Sequence, residues 1–308
     1  MKKIWILSIT FIFLLNACQE AQKEDGKRYL VATTGMIKDA LENIAGDKAI
    51  VFGMMGPGVD PHLYKPTPGD LSELRKADII FYNGLHLEGK MGEVFEKMAQ
   101  TKPVFALADG IAINRLKAPE DASQAATSQA YDPHIWFDIS LWSAAVKHAG
   151  EKLAASDKEN QAYYLQNMEN YLKELAALDN WTKQKIMSIP ENQRVLITAH
   201  DAFGYFGEAY KIEVRGLQGI STISEFGLRD VSELVNFITT RKIKAVFVET
   251  SVSTKSLETV VSGCKDNGHE VRIGGTLYSD AMGEANTPEG TYIGMVKANV
   301  NTIVSNLK

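Results

Sequence analysis

Cysteine is nearly missing from this chain of 308 residues, which holds only Cys18 and Cys264. A framework of several disulfides is therefore excluded. Long apolar runs are missing as well. The exception, Ile4 to Leu15, is broken only by Ser8 and Thr10 and is short for a membrane span. There is no surplus of positive charge: 33 Lys and Arg against 38 Asp and Glu leave a formal charge of −5, which argues against a nucleic-acid partner. No H-E-x-x-H helix or other hydrolase spacing occurs, and no low-complexity segment interrupts the part that folds. Proline is sparse, nine in all, yet four of the nine crowd into residues 56–70.

The amino-terminal segment reads as a processing signal. Lys2 and Lys3 open it, the apolar run follows, and Leu15-Asn16-Ala17-Cys18 resembles the bacterial lipobox, in which cleavage before a diacylated cysteine leaves a lipid anchor. Residues 1–17 are then a lipoprotein signal peptide, Cys18 the lipidation site and 18–27 a polar tether. The mature chain is two charges more acidic, and with Cys18 lipidated no internal disulfide can form. Cys264 reads as a small buried apolar residue. The remaining stretch of about 280 residues can fill one large core or two modest ones.

Strand and helix patterns alternate from Tyr29 onward. Tyr29 to Thr34, Ala49 to Met54, Asp78 to Asn83 and Pro103 to Leu107 read as strands, with helical patterns at Ile37 to Ile44, from Pro68, and at Met91 to Met98. Ala118 to Ala130 lacks large apolar residues and reads as a loop. From Leu141 to Ser188 the pattern is helical almost throughout. Residues 160–187 hold neither proline nor glycine, which allows one helix of about 28 residues, roughly 42 Å long, or a hairpin with a hidden turn. After Pro190 the alternation resumes, with strands at Arg194 to Ala199, Ala245 to Glu249 and Val271 to Ile273 and a closing helix at Met295 to Leu307. Arg241-Lys242-Ile243-Lys244 reads as an exposed helix-to-strand corner. Two β/α halves separated by one long helix imply an α/β protein of two parallel-sheet lobes, with ligand bound where the strands end, in the cleft between them. The divisions expected are 28–157, a linking helix at 158–190, and 191–308.

Asp-Pro-His occurs twice, at Asp60-Pro61-His62 and Asp132-Pro133-His134. The first copy sits in a loop stiffened by Pro57, Pro61, Pro66 and Pro68 and turned by Gly56, Gly58 and Gly69. One such loop would read equally as a rigid surface turn, but a second copy argues that the histidines are being held for a purpose. His200 follows the apolar run 195–199 and so stands at a strand's carboxyl end, where open α/β folds place their sites. His86, His148 and His269, beside a strand end, within a helix and in a turn, read as solvated or structural. Three imidazoles and one carboxylate make a plausible first-row metal site. Asp280 is the expected acid, because Gly274 to Gly283 reads as another strand-end loop rich in small residues. Glu249, ending its strand, is either an acceptor that fixes one imidazole tautomer or a competing fourth ligand.

The runs Gly58-Val59-Asp60-Pro61-His62 with Pro66-Thr67-Pro68, Asp132-Pro133-His134-Ile135-Trp136, Thr198-Ala199-His200-Asp201-Ala202-Phe203-Gly204-Tyr205-Phe206, Glu249 after its strand and Ser279-Asp280-Ala281 resemble those of TroA-like solute-binding proteins of zinc and manganese ABC transporters, across residues 28–308. The resemblance implies two Rossmann-like lobes joined by one long rigid helix, with a buried divalent cation in the interlobe cleft. Matched position by position, it takes His62 and His134 from the first lobe and His200 and Asp280 from the second. It further implies a lipid-anchored monomer on the extracytoplasmic face of a bacterial membrane, not an enzyme, that hands its ion to a cognate ABC permease and its ATPase. In that family manganese binders tend to carry glutamate where this chain has His200.

Three nitrogens and one carboxylate favour Zn²⁺ over Mn²⁺. Against zinc stands the absence of histidine from Ala118 to Ala130, where many zinc-specific relatives carry a histidine-rich loop. Because imidazoles ligate only when neutral, affinity is expected to fall below about pH 6. A zinc hydrolase would need Asp280 as a base rather than a ligand, and a surface adhesin would leave the strand-end residues unexplained.

Overall fold

The computed structural model describes residues 26–118 and 131–308. The signal segment, Cys18, most of the tether and all of Ala118 to Ala130 except Ala118 lie outside the described residues. The first half runs β1 (Arg28–Ala32), α1 (Gly35–Ala45), β2 (Ala49–Gly53), α2 (Pro68–Lys76), β3 (Ile79–Tyr82), α3 (Gly92–Ala99), β4 (Val104–Ala106) and α4 (Ile139–Ser156). The helix α5 (Gln161–Met187) follows. The second half runs β5 (Val195–His200), α6 (Gly204–Tyr210), β6 (Glu213–Gln218), α7 (Leu228–Arg241), β7 (Ala245–Glu249), α8 (Lys255–Asp266), β8 (Arg272–Leu277) and α9 (Tyr292–Leu307). Among the described residues each half forms one four-stranded parallel sheet, in the orders β2-β1-β3-β4 and β6-β5-β7-β8. The two lobes thus repeat one topology, and the carboxyl ends of their strands carry the loops that matter below.

Local chemistry fixes those loops. At α2, Thr67 and Asp70 cap each other: Thr67 Oγ1 accepts the Asp70 N–H at 3.2 Å and Asp70 Oδ2 accepts the Thr67 N–H at 2.7 Å, with Pro68 at the first helical position. This pins the downstream end of the first Asp-Pro-His loop.

The stretch from Leu141 to Ser188 holds two helices, the second of them the long one expected over 160–187. They divide at residues 157–160, where the Asp157 carboxylate accepts from Asn160 Nδ2 at 2.9 Å and Tyr164 Oη at 2.8 Å. Within α5, 27 residues long, no turn intervenes. Its buried residues Tyr164, Met168, Tyr171, Leu175, Leu178, Thr182 and Ile186 fall three or four apart and make one stripe. That stripe lies in an apolar core shared by both lobes, alongside Leu30, Ile37, Trp136 and Trp142 from the first and Leu196, Phe203, Phe247 and Met295 from the second. Smaller cores are confined to single lobes, one around Val31, Ile80 and Phe95 and one around Ile197, Val246 and the fully buried Cys264.

The loop expected at Gly274 to Gly283 begins later than its composition suggests. Gly274 to Leu277 belong to β8, which pairs with β7 across a register shift. A Cβ at Gly274 would meet Phe247 and Ala245 side chains at 3.0–3.1 Å, and Gly275 has φ +148°, so these glycines mark close packing and a bulge inside a strand.

Candidate metal centre

His62 lies in the loop between β2 and α2, His134 between β4 and α4, His200 at the last position of β5, and Asp280 just past β8. The fold brings all four together. One ligand atom from each lies within 4.8 Å of the others, and none of the four residues is more than 4% exposed. His62 Nε2 stands 3.3 Å from His134 Nε2, His134 Nε2 stands 3.4 Å from Asp280 Oδ1, and His200 Nε2 stands 3.3 Å from Asp280 Oδ2. Bonds of about 2.0–2.1 Å at tetrahedral angles give ligand-to-ligand edges of about 3.3–3.4 Å, which these three spacings match, two of them through different Asp280 oxygens. Both His200 Nε2 and Asp280 Oδ1 are buried without completing a hydrogen bond, although each faces an oppositely disposed partner. A cation at the centre would satisfy both at once.

Carboxylates back two of the rings. His134 Nδ1 lies 2.7 Å from Asp132 Oδ1, which also accepts the His134 backbone N–H at 2.9 Å. His200 Nδ1 lies 2.6 Å from Glu249 Oε2, and the other Glu249 oxygen accepts the His200 backbone N–H at 2.9 Å. Asp132 thus holds the His134 Nδ1, and Glu249 stands against the His200 Nδ1 without the alignment of a hydrogen bond, leaving both Nε2 atoms toward the centre. Asp280 is steadied by Ser251, whose Oγ is 3.4 Å from its Oδ2. Asp132 has no separate signal in the chain, though its place two residues before His134, repeated as Asp60 before His62, is the spacing at which a carboxylate accepts a backbone N–H.

The charges in this space are strongly coupled. Burial opposes a proton on each ring. It pushes His62 down to about 3, with His134 and His200 adding to the effect against Asp280. For His134, Asp132 and Asp280 outweigh burial and carry the ring up to about 9. His200 is likewise held well above the ordinary imidazole value by Asp280 and Glu249 against burial, and Asp280 is held well below the carboxylate range by His200 and His134, again against burial.

The other histidines stand apart. His269 Nε2 contacts the Ile243 carbonyl at 2.7 Å, His148 packs against the turn at Gly110, and His86, at φ 60°, lines a surface cavity with Glu96 and Asp109.

A family described as zinc-uptake complex component A, periplasmic (ZnuA), matches residues 30–306. The chain belongs to the ZnuA family. Among its relatives, the manganese-binding lipoprotein MntA of Bacillus subtilis is 48% identical over 299 residues, covering 96% of each chain. The zinc-binding protein TroA of Treponema pallidum is 47% identical over 283 residues, covering 92% of this chain and 90% of its own. The solved structure of that periplasmic zinc-binding protein superposes with a TM-score of 0.88 over 92% of this chain and 99% of the other. This ZnuA-family chain therefore has the TroA-like arrangement of two parallel-sheet α/β lobes.

Proposed function

We propose that the protein captures a divalent transition metal, zinc by preference, between His62, His134, His200 and Asp280, and passes it to an ABC permease driven by its ATPase. The observation that carries this reading is the buried cluster of three imidazole nitrogens and one carboxylate, whose ligand atoms all lie within 4.8 Å of one another. Three nitrogens and one carboxylate suit zinc, and the affinity order of divalent first-row metals also places zinc above manganese. The metal is cargo here, so the chain acts as a receptor and not an enzyme. Asp280 stands inside the cluster rather than beside it as a base. Anchoring through Cys18 is supported by Leu15-Asn16-Ala17-Cys18 and by relatives named as lipoproteins. Among the described residues no helix is long and apolar enough to cross a membrane.

Manganese is the second reading, because the relative at 48% identity is named as a manganese-binding lipoprotein while the one at 47% is named as zinc-binding. Near-equal identity does not separate the two metals, and the donor set is what supports zinc. The test is metal analysis of protein purified without added metal, followed by competition between Zn²⁺ and Mn²⁺. Tighter Zn²⁺ binding at one site per chain is expected, and Mn²⁺ winning at equal concentration overturns the choice of zinc.

A further inference from the structure

Ties across the cleft are distributed unevenly among the ligands. His134 stands in the shared core: Trp136 and Phe137 belong to it, and Phe137 stacks on Phe203 of the second lobe with ring centres 4.1 Å apart. Trp136 Nε1 donates to the Ser279 carbonyl at 3.0 Å, and Tyr205 Oη donates to the Asp132 carbonyl at 3.0 Å. His134 is thereby fixed to the lobe that carries His200 and Asp280. The His62 loop is held differently. Its Val59 and Tyr64 pack on the smaller core confined to the first lobe. Among the described residues its hydrogen bond to the second lobe is at Asp60, whose Oδ2 accepts from Thr222 Oγ1 at 2.6 Å while its Oδ1 accepts the His62 N–H at 2.9 Å.

Thr222 is itself braced by the strand beside His200. It lies in the loop between β6 and α7, where Gln218 Nε2 donates to the carbonyls of Thr222 at 2.8 Å and Ser224. Gln218 is the strand partner of His200. One polar path therefore runs from the His200 backbone through Gln218, Thr222 and Asp60 to the His62 backbone, joining ligand-bearing segments of opposite lobes.

We propose that Thr222 is a positioning residue that latches His62 into the metal site. Metal leaves when the Thr222–Asp60 bond opens and the His62 loop withdraws, while His134, His200 and Asp280 remain in place. The latch rests on the four-ligand reading given above. Losing a hydrogen bond to a charged acceptor raises an off-rate by roughly tenfold.

The test is stopped-flow transfer of Zn²⁺ from the full chain, held in detergent micelles, to a fluorescent chelator. Thr222→Val should release Zn²⁺ roughly tenfold faster than the unmodified chain with an unchanged association rate, and Thr222→Ser should restore the slow release. Gln218→Met, which leaves Thr222 in place but unbraced, should accelerate release in the same direction. Dissociation unchanged in both Thr222→Val and Gln218→Met overturns the latch, as does Thr222→Ser releasing as fast as Thr222→Val. If the unmodified chain binds no Zn²⁺, the four-ligand reading fails instead.

Discussion

His200 and Glu249 are joined twice, ring nitrogen to one carboxylate oxygen at 2.6 Å and backbone N–H to the other at 2.9 Å. The strand-end carboxylate thus accepts the His200 backbone N–H and faces its ring Nδ1. Glu249→Gln keeps the shape and removes the charge. Zinc affinity should fall by roughly 10–100-fold, as for other acids that support a metal-bound imidazole. Chelator competition measures it, and an affinity equal to that of the unmodified chain would refute the role.

Proton release provides a second check. In the metal-free protein His62, pushed down to about 3, is neutral near neutral pH, whereas His134, carried up to about 9, holds a proton. A proton on His134 Nε2 occupies the lone pair a metal needs. Binding at about pH 7.5, a unit above the free-imidazole value, must therefore expel it. Affinity should keep climbing up to about pH 9 instead of levelling off above about pH 6, the limit that unperturbed imidazoles imply. Calorimetry in buffers of different ionisation heat should show at least one proton released per ion bound at about pH 7.5, and no buffer dependence would contradict it.

Much of this site was legible because the chemistry sits in short segments. The repeated Asp-Pro-His marked His62 and His134, and an apolar run ending in histidine marked His200. Asp280 was found through a loop whose first residues, Gly274 to Leu277, prove to be strand; glycine reports close backbone approach as readily as a turn. The contact between Asp132 and the His134 ring depends on a side-chain rotamer that no spacing encodes. The shared core was equally hidden, since helical periodicity tells which face of α5 is buried but not that elements of both lobes meet there.

Metal choice should respond to the donor at position 200. His200→Glu exchanges a borderline nitrogen for a hard oxygen, which costs zinc more than manganese. The ratio of zinc to manganese affinity, measured by competition on one preparation, should drop. An unchanged ratio would show that selectivity resides in the shape of the pocket and not in the donor.

Leu175 lies in the middle of α5, fully buried in the core that both lobes share. Leu175→Ala should cost about 2–5 kcal/mol, the range for removing a core leucine side chain and leaving a cavity. The distribution of that cost is more telling than its size. If the sheets lean on one core, hydrogen exchange should accelerate by the same factor in β1 of the first lobe and β7 of the second, because both are exposed by one cooperative opening. Were β7 to keep its protection while β1 lost it, the lobes would be independent bodies joined by a helix. The cleft would then open by rotation of whole lobes, carrying His62 and His134 away together. Equal acceleration would mean that the lobes cannot part without breaking the core, and that metal leaves by the smaller movement of the His62 loop.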